Sequence, residues 1–311
     1  MKSTLLKNNH HREHGERREF LKNSGEDVDR SPTSPDVGNS EVAHFAGLAV
    51  NSVCAGGGAP VVMAHGLAAS LHDWDAFLPA LAARGYAGYA LDLLGHGDSA
   101  KPDSLEFYTA ESVFAHLRDW VASLELDQPF VFVGHSLGGC MALKYALRYP
   151  EKLKALVLVN PFYSVQQLPR ALRFFFRRPL FNTALIQMTP YWLFRMLIDL
   201  SSLSFGGAPG KYTLPEAVRI QTALDYKRSS PNIYNIPRTL QDMTCDLPSI
   251  KLPTLIVWGE KDQTLDPASF PRLVELLPNA RGVKLPAGHV PHQSHAGEFN
   301  RIVLDFLKND L

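Results

Sequence analysis

The sequence predicts an α/β protein, with a mostly parallel central sheet, helices on both faces, and a helical cap inserted late in the chain. Three observations carry this expectation. From about residue 43 to residue 161, short apolar runs alternate with stretches of helical period, and strand, helix, strand order builds parallel sheets covered on both sides. The alternation stops at Pro161 and resumes only at 253–258. The intervening residues show no clear alternating strand and are cut into helical pieces by Pro169, Pro179, Pro190, Pro215, Pro231 and Pro237, each of which removes a backbone donor and clashes with a continuing helix.

Taken in order, residues 1–42 are charged and polar, with Ser31, Pro32, Ser34 and Pro35 near their end. They carry too little apolar surface to offset the entropy of ordering, so a disordered tail is expected. His10, His11 and His14 within it read as solvated side chains. The first part of the core, 43–161, contains a strand or the start of a hairpin at 43–54, then strands at 60–64, 86–91, 130–134 and 155–159. Helical spacing covers 74–83, 110–124 and 137–148. The cap is expected at 162–249. The second part of the core, 250–311, holds strands at 253–258 and 282–285 and helices at 267–277 and 298–307. No internal repeat is present.

A chain of 311 residues is long enough for one large α/β domain with a sizeable buried core. Lysine plus arginine balance aspartate plus glutamate at 31 each, so no global field points to nucleic acid or to an acidic partner. The three cysteines, Cys54, Cys140 and Cys245, are odd in number and form no C-x-x-C pair, which argues against a disulfide framework and a cysteine zinc site. Cys140 reads as core. Leu5 and Leu6 are the only strong apolar residues before a polar run, and Glu13 and Glu16 weigh against a transit peptide. No apolar stretch reaches the length of a membrane span. A cytoplasmic protein is expected.

The chemistry centres on Gly134, His135, Ser136, Leu137 and Gly138, which end an apolar run and open a helical pattern. This G-x-S-x-G pentad puts one serine on a strand-to-helix turn so tight that its Oγ stands clear of the sheet, with flanking glycines removing the Cβ atoms that would clash. A serine hydroxyl is a weak nucleophile at neutral pH and needs a base, oriented in turn by an acid. Both follow downstream. Asp262 closes the loop after the strand at 253–258, and His289 follows the next strand within Gly288-His289. Groups at the carboxyl ends of parallel strands collect at one edge, so Ser136, Asp262 and His289 are expected to meet there.

With these residues in place, 43–161 and 250–311 resemble the α/β-hydrolase superfamily in its cap-bearing branch, covering serine esterases, lipases and meta-cleavage-product hydrolases. His65, Gly66, Leu67 and Ala68 are similar to the H-G-x loop of that family, and Asp92 to Ser99 to its D-x-x-G-x-G-x-S loop. The resemblance implies an oxyanion hole made by the backbone N–H groups of Leu67 and Leu137. The second stands at a helix N-terminus, where the macrodipole favours developing negative charge. Asp92, His96 and Asp98 read as turn chemistry rather than catalytic groups. Some members carry the acid after the strand preceding the cap, but here that strand ends in Asn160 and Pro161, leaving Asp262, with Glu260 a distant second.

Serine at the elbow implies an acyl-enzyme, unlike the aspartate of haloalkane dehalogenases and soluble epoxide hydrolases. The expected function is hydrolysis of a lipophilic carboxylic ester or related acyl substrate. The alternatives are an acyltransferase or cofactor-free perhydrolase with the same triad, and a ligand-binding receptor that keeps it. No dinucleotide fingerprint, P-loop or convincing metal cluster is present, so neither cofactor nor metal is expected, and His292 and His295 read as surface or helix-start residues. In the cap, Phe174, Phe175, Phe176 and Phe181 mix with Arg170, Arg173, Arg177 and Arg178, ahead of Tyr191, Trp192, Leu193, Phe194 and Met196. Such a stretch suits a lid over a lipid-like substrate, with transient contact to a membrane surface, or simple packing of cap on core. The oligomeric state is open.

Overall fold

The computed structural model describes residues 41–45, 47–170, 173–174, 188–201, 203 and 214–311. Among them, eight strands form one sheet: β1 (Glu41–Phe45), β2 (Leu48–Gly56), β3 (Ala59–Ala64), β4 (Tyr86–Leu91), β5 (Phe130–His135), β6 (Leu153–Val159), β7 (Thr254–Gly259) and β8 (Ala280–Leu285), in the order β1-β2-β4-β3-β5-β6-β7-β8. The β1/β2 and β2/β4 pairs are antiparallel and every later pair is parallel. The helices are α1 (Leu78–Ala82), α2 (Ala110–Ser123), α3 (Leu137–Arg148), α4 (Tyr191–Ser201), α5 (Glu216–Arg228), α6 (Ser269–Leu276), α7 (Pro291–Ser294) and α8 (Ala296–Asn309).

The central strands read as continuous apolar runs because helices bury both faces. Every residue of β5 and β7 is buried, the pattern of parallel strands covered on two sides. Their side chains alternate between faces. Val61, Met63, Val131 and Val133 pack with Leu78, Leu81, Phe299 and Val303, whereas Val62, Ala64, Phe130 and Phe132 pack with Phe114, Leu117, Met141 and Tyr145. At the outer edge β8 shows exposed Arg281, Gly282 and Lys284, a charged edge that discourages pairing with another chain.

Two expectations change at the level of elements. The helix expected over 74–83 is a 3-10 turn at Leu71–Trp74 followed by the short α1. Pro79 sits in the first turn of α1, where a missing N–H does no harm, so the helix starts there instead of running through it. β1 begins at Glu41, two residues before the expected start at 43, because it pairs from that residue with Ser52 of β2. The rest of the expected 1–42 tail, with His10, His11 and His14, lies outside the described residues.

Between β6 and β7 the regular elements among the described residues are α helices and 3-10 turns, with a single bridge residue at Leu203, in keeping with the proline-broken pattern. Helices α4 and α5 pack together, with Phe194 and Tyr226 ring centroids 5.9 Å apart. The insertion is tied to the sheet domain by Ser230 N–H to Gly95 O at 2.8 Å, by Ala110 N–H to Thr239 Oγ1 at 2.8 Å, and by Ser70 Oγ to Asp225 Oδ2 at 2.8 Å. The aromatic run divides. Phe194 is buried, while Phe174, Tyr191, Trp192 and Met196 are exposed; Phe175, Phe176, Phe181, Arg177 and Arg178 lie outside the described residues. No described helix is long and apolar enough to cross a membrane.

Candidate active site

All parallel strands end at one edge of the sheet, and the singled-out residues stand at those ends. Ser136 directly follows β5 with φ 49° and ψ −108°, a left-handed conformation that a side chain adopts only when its surroundings enforce it. Here they do. The Ser136 N–H donates to Val159 O at 2.9 Å, and its carbonyl accepts from Phe162 N at 3.0 Å and Cys140 N at 3.1 Å. The glycine requirement is literal: a Cβ on Gly134 would lie 2.4 Å from Gly138 O, and one on Gly138 would lie 2.0 Å from Ala64 O. Cys140, one turn further on, is fully buried, and burial pushes its thiol up to about 12, so it is an inert core residue.

Asp262 and His289 meet as their positions predicted. His289 Nδ1 lies 2.7 Å from Asp262 Oδ2, and the Asp262 side chain is fully buried. That carboxylate also accepts from Asn160 Nδ2 at 2.6 Å, Thr264 N at 2.8 Å and Leu265 N at 3.1 Å. Burial alone would raise its pKa. The charge and hydrogen bond of His289, with the Leu265 N–H and the Asn160 amide, hold it below the ordinary value instead. An ionised Asp262 only accepts, so His289 donates to it from Nδ1. Glu260 pairs instead with Lys284 at 3.1 Å.

Ser136, His289 and Asp262 line one cavity of about 850 Å³, along with Leu67 and Leu137. Leu137 opens α3, so its N–H has no acceptor within the helix. The far wall comes from the insertion, through Ile198, Thr222, Asp225, Tyr226 and Tyr234. Asp225 is buried there, and burial raises its carboxyl to about 7 although Ser70 and Gln221 donate to it. A strained serine, a carboxylate-oriented imidazole and an apolar chamber together can hold an acyl group against a nucleophile.

Other residues fall differently. Asp92 accepts from Asn51 Nδ2, Leu71 N and Asp98 N, at 2.7, 2.7 and 2.8 Å, so it shapes its loop. His96 is fully buried, and burial lowers its pKa to about 3. His292, expected as a surface or helix-start residue, stands in the first turn of α7 but is buried, its ring 5.0 Å from Trp74 and 4.5 Å from His135. Sequence reasoning also missed Asp73. Asp73, His135 and His292 are buried and bring three metal-capable ligand atoms within 4.8 Å of one another, the one such group among the described residues. Asp73 and His135 are in direct hydrogen-bond contact at 3.0 Å. The signal in sequence was only that Asp73 follows the H-G-x loop and His135 lies inside the pentad.

The model of the alpha/beta hydrolase fold family matches residues 59–296. The chain is 28% identical over 262 residues to a 2-hydroxy-6-oxo-6-(2'-aminophenyl)hexa-2,4-dienoic acid hydrolase of Metapseudomonas resinovorans, covering 81% of this chain and 85% of that enzyme. It is 27% identical over 245 residues to Lipase 1 of Psychrobacter immobilis, covering 75% of this chain and 72% of the lipase. Among solved structures, a bromoperoxidase from Bacillus anthracis superposes with a TM-score of 0.74 at 24% identity, covering 87% of this chain and all of that one. The matched stretch carries β3 to β8, the serine elbow and the Asp262–His289 pair, and the chain belongs to the alpha/beta hydrolase fold family.

Proposed function

We propose that this protein is a serine hydrolase that acts through an acyl-enzyme on a lipophilic carboxylic ester or related acyl substrate. One observation carries the reading: the strained Ser136 shares a cavity with a His289 imidazole oriented by a buried carboxylate at 2.7 Å. Ser136 Oγ attacks the carbonyl carbon while His289 Nε2 takes its proton, and Asp262 stays ionised and holds the tautomer. The Leu67 and Leu137 amides receive the oxyanion. His289 then protonates the leaving alcohol and activates water to release the acid. No cofactor takes part.

The insertion, residues 162–249, acts as a cap whose inner wall grips the acyl chain. On α4, Trp192, Met196 and Leu200 recur at successive turns and are exposed, which supports transient contact with a lipid surface. The test is labelling by a fluorophosphonate probe together with a p-nitrophenyl ester panel graded by acyl length. Ser136→Ala is expected to abolish both labelling and turnover with the fold intact; unchanged turnover would sink the serine mechanism. Ester exchange into added alcohol in preference to water would favour acyl transfer. Ligand-driven thermal stabilisation with no turnover would favour a receptor.

A further inference from the structure

Lining the same cavity as the Asp262–His289 pair is a second buried histidine–carboxylate contact that the proposed mechanism does not use. His135 Nδ1 lies 3.0 Å from Asp73 Oδ2, and His135 Nε2 lies 3.0 Å from the backbone carbonyl of His289. Asp73 reaches further still. Its Oδ1 accepts from Gln293 Nε2 at 2.9 Å, and its Oδ2 from Gly66 N at 3.3 Å. Asp73, His135 and His292 are all buried, and His292 fills the remaining side of the His135 ring at 4.5 Å.

These contacts join three separate pieces of backbone. Gly66 belongs to the loop of the Leu67 amide, His135 immediately precedes Ser136, and His289 and Gln293 belong to the segment after β8. The residues bridged lie 62, 154 and 220 positions apart. Both partners of His135 are acceptors, so two N–H donors are required where a neutral ring offers one. Burial, with His292 alongside, pulls the ring toward neutrality, to about 4. The hydrogen bond and charge of Asp73 pull the ring the other way, which ties it to that carboxylate. Removing one member of such a buried network leaves its partners unpaired.

We propose that Asp73 and His135 are positioning residues, forming a buried brace that sets the His289 backbone and the Leu67 loop in register with Ser136. The proposal rests on the serine-hydrolase reading above. The brace touches no reacting atom. It fixes where the imidazole and the oxyanion donors stand, and a misplacement of about 1 Å in such groups costs on the order of 100-fold in rate.

The test compares purified full-length wild type with Asp73→Asn, His135→Leu and His135→Gln, measuring kcat and KM on a p-nitrophenyl ester, fluorophosphonate labelling rate and thermal midpoint. Asp73→Asn keeps the shape of the carboxylate and so remains informative if His135→Leu fails to fold. The expected result is a kcat lower by about 10- to 100-fold at unchanged KM, with labelling slowed by the same factor. His135→Gln, which can serve one of the two acceptors, should recover part of the loss that His135→Leu shows. Folded Asp73→Asn and His135→Leu variants with kcat within about twofold of wild type, beside an inactive Ser136→Ala, would overturn the brace alone. Wild-type turnover in Ser136→Ala would overturn the serine reading and the brace with it. One equivalent of zinc in the purified protein, found by elemental analysis, would overturn the hydrogen-bonded brace in favour of a metal.

Discussion

Gly138→Ala adds one methyl group at the point where α3 meets the H-G-x loop. Its Cβ would stand 2.0 Å from Ala64 O, 2.5 Å from the Ala64 carbonyl carbon and 2.8 Å from His65 O, where real contacts are not closer than 3.0 Å. All three neighbours are backbone, so no side chain can swing aside, and helix and loop must part by about 1 Å. The Gly138 N–H to His65 O bond of 3.0 Å pins the same two segments and is stretched with them. Overpacking of this kind costs about 1–3 kcal/mol, which lowers the melting temperature by roughly 2–12 °C at about 2–4 °C per kcal/mol.

The larger effect falls on catalysis, because the parting separates the Leu67 and Leu137 amides. We expect kcat to fall by on the order of 100-fold, read with a p-nitrophenyl ester and by fluorophosphonate labelling, with thermal unfolding followed by circular dichroism. Gly297→Ala is the control. A Cβ there meets nothing within 4 Å, and alanine is the better helix former by about 1 kcal/mol, so activity should hold and the melting temperature should stay level or rise. A Gly138→Ala protein with wild-type kcat and melting temperature would refute the claim that backbone approach at this glycine sets the oxyanion donors.

Two further outcomes follow from the buried carboxylates. Asn160→Ala removes the 2.6 Å donor to Asp262, one of the contacts that hold that carboxyl below its ordinary value. A depressed folded-state pKa contributes stability above the unfolded value and loses it as pH falls through the folded value, so the variant should acid-unfold at a higher pH by tryptophan fluorescence; an unchanged acid midpoint would count against the assignment. Asp225 has the opposite sign. With its carboxyl at about 7 in the fold against an ordinary value of 3.8, the native state binds the proton more tightly, so stability falls as pH rises from about 4 to 7. Asp225→Asn should flatten that slope and raise stability at pH 8 by a few kcal/mol; parallel melting profiles of wild type and variant from pH 5 to 8 would refute it.

Much of the fold was legible because its determinants are local. The apolar runs that became β3, β5 and β7 reflect burial on both faces, and the pentad reflects a glycine need that two close backbone approaches now account for. Less legible were elements decided by a neighbour. Helical spacing at 74–83 ignored how Pro79 restarts the helix, and the recurrence of His289, His292 and His295 gave no hint that His292 is buried against Trp74. Asn160 was read only as an absent acid, yet it donates to Asp262 from the neighbouring strand's end. Nothing local to Asp225 marks it as a cavity residue, although it lines the cavity.

The sequence by itself determined the layered sheet, the serine elbow and the order Ser136, Asp262, His289, since hydrophobic period and turn chemistry act over a few residues and can be read in one dimension. Only the tertiary structure decided that Asp73 meets His135 and Gln293, and which residues between β6 and β7 wall the cavity. Those contacts span 62 to 220 residues. They exist because parallel register brings the strand ends to one edge, and no local pattern encodes which distant side chains meet there.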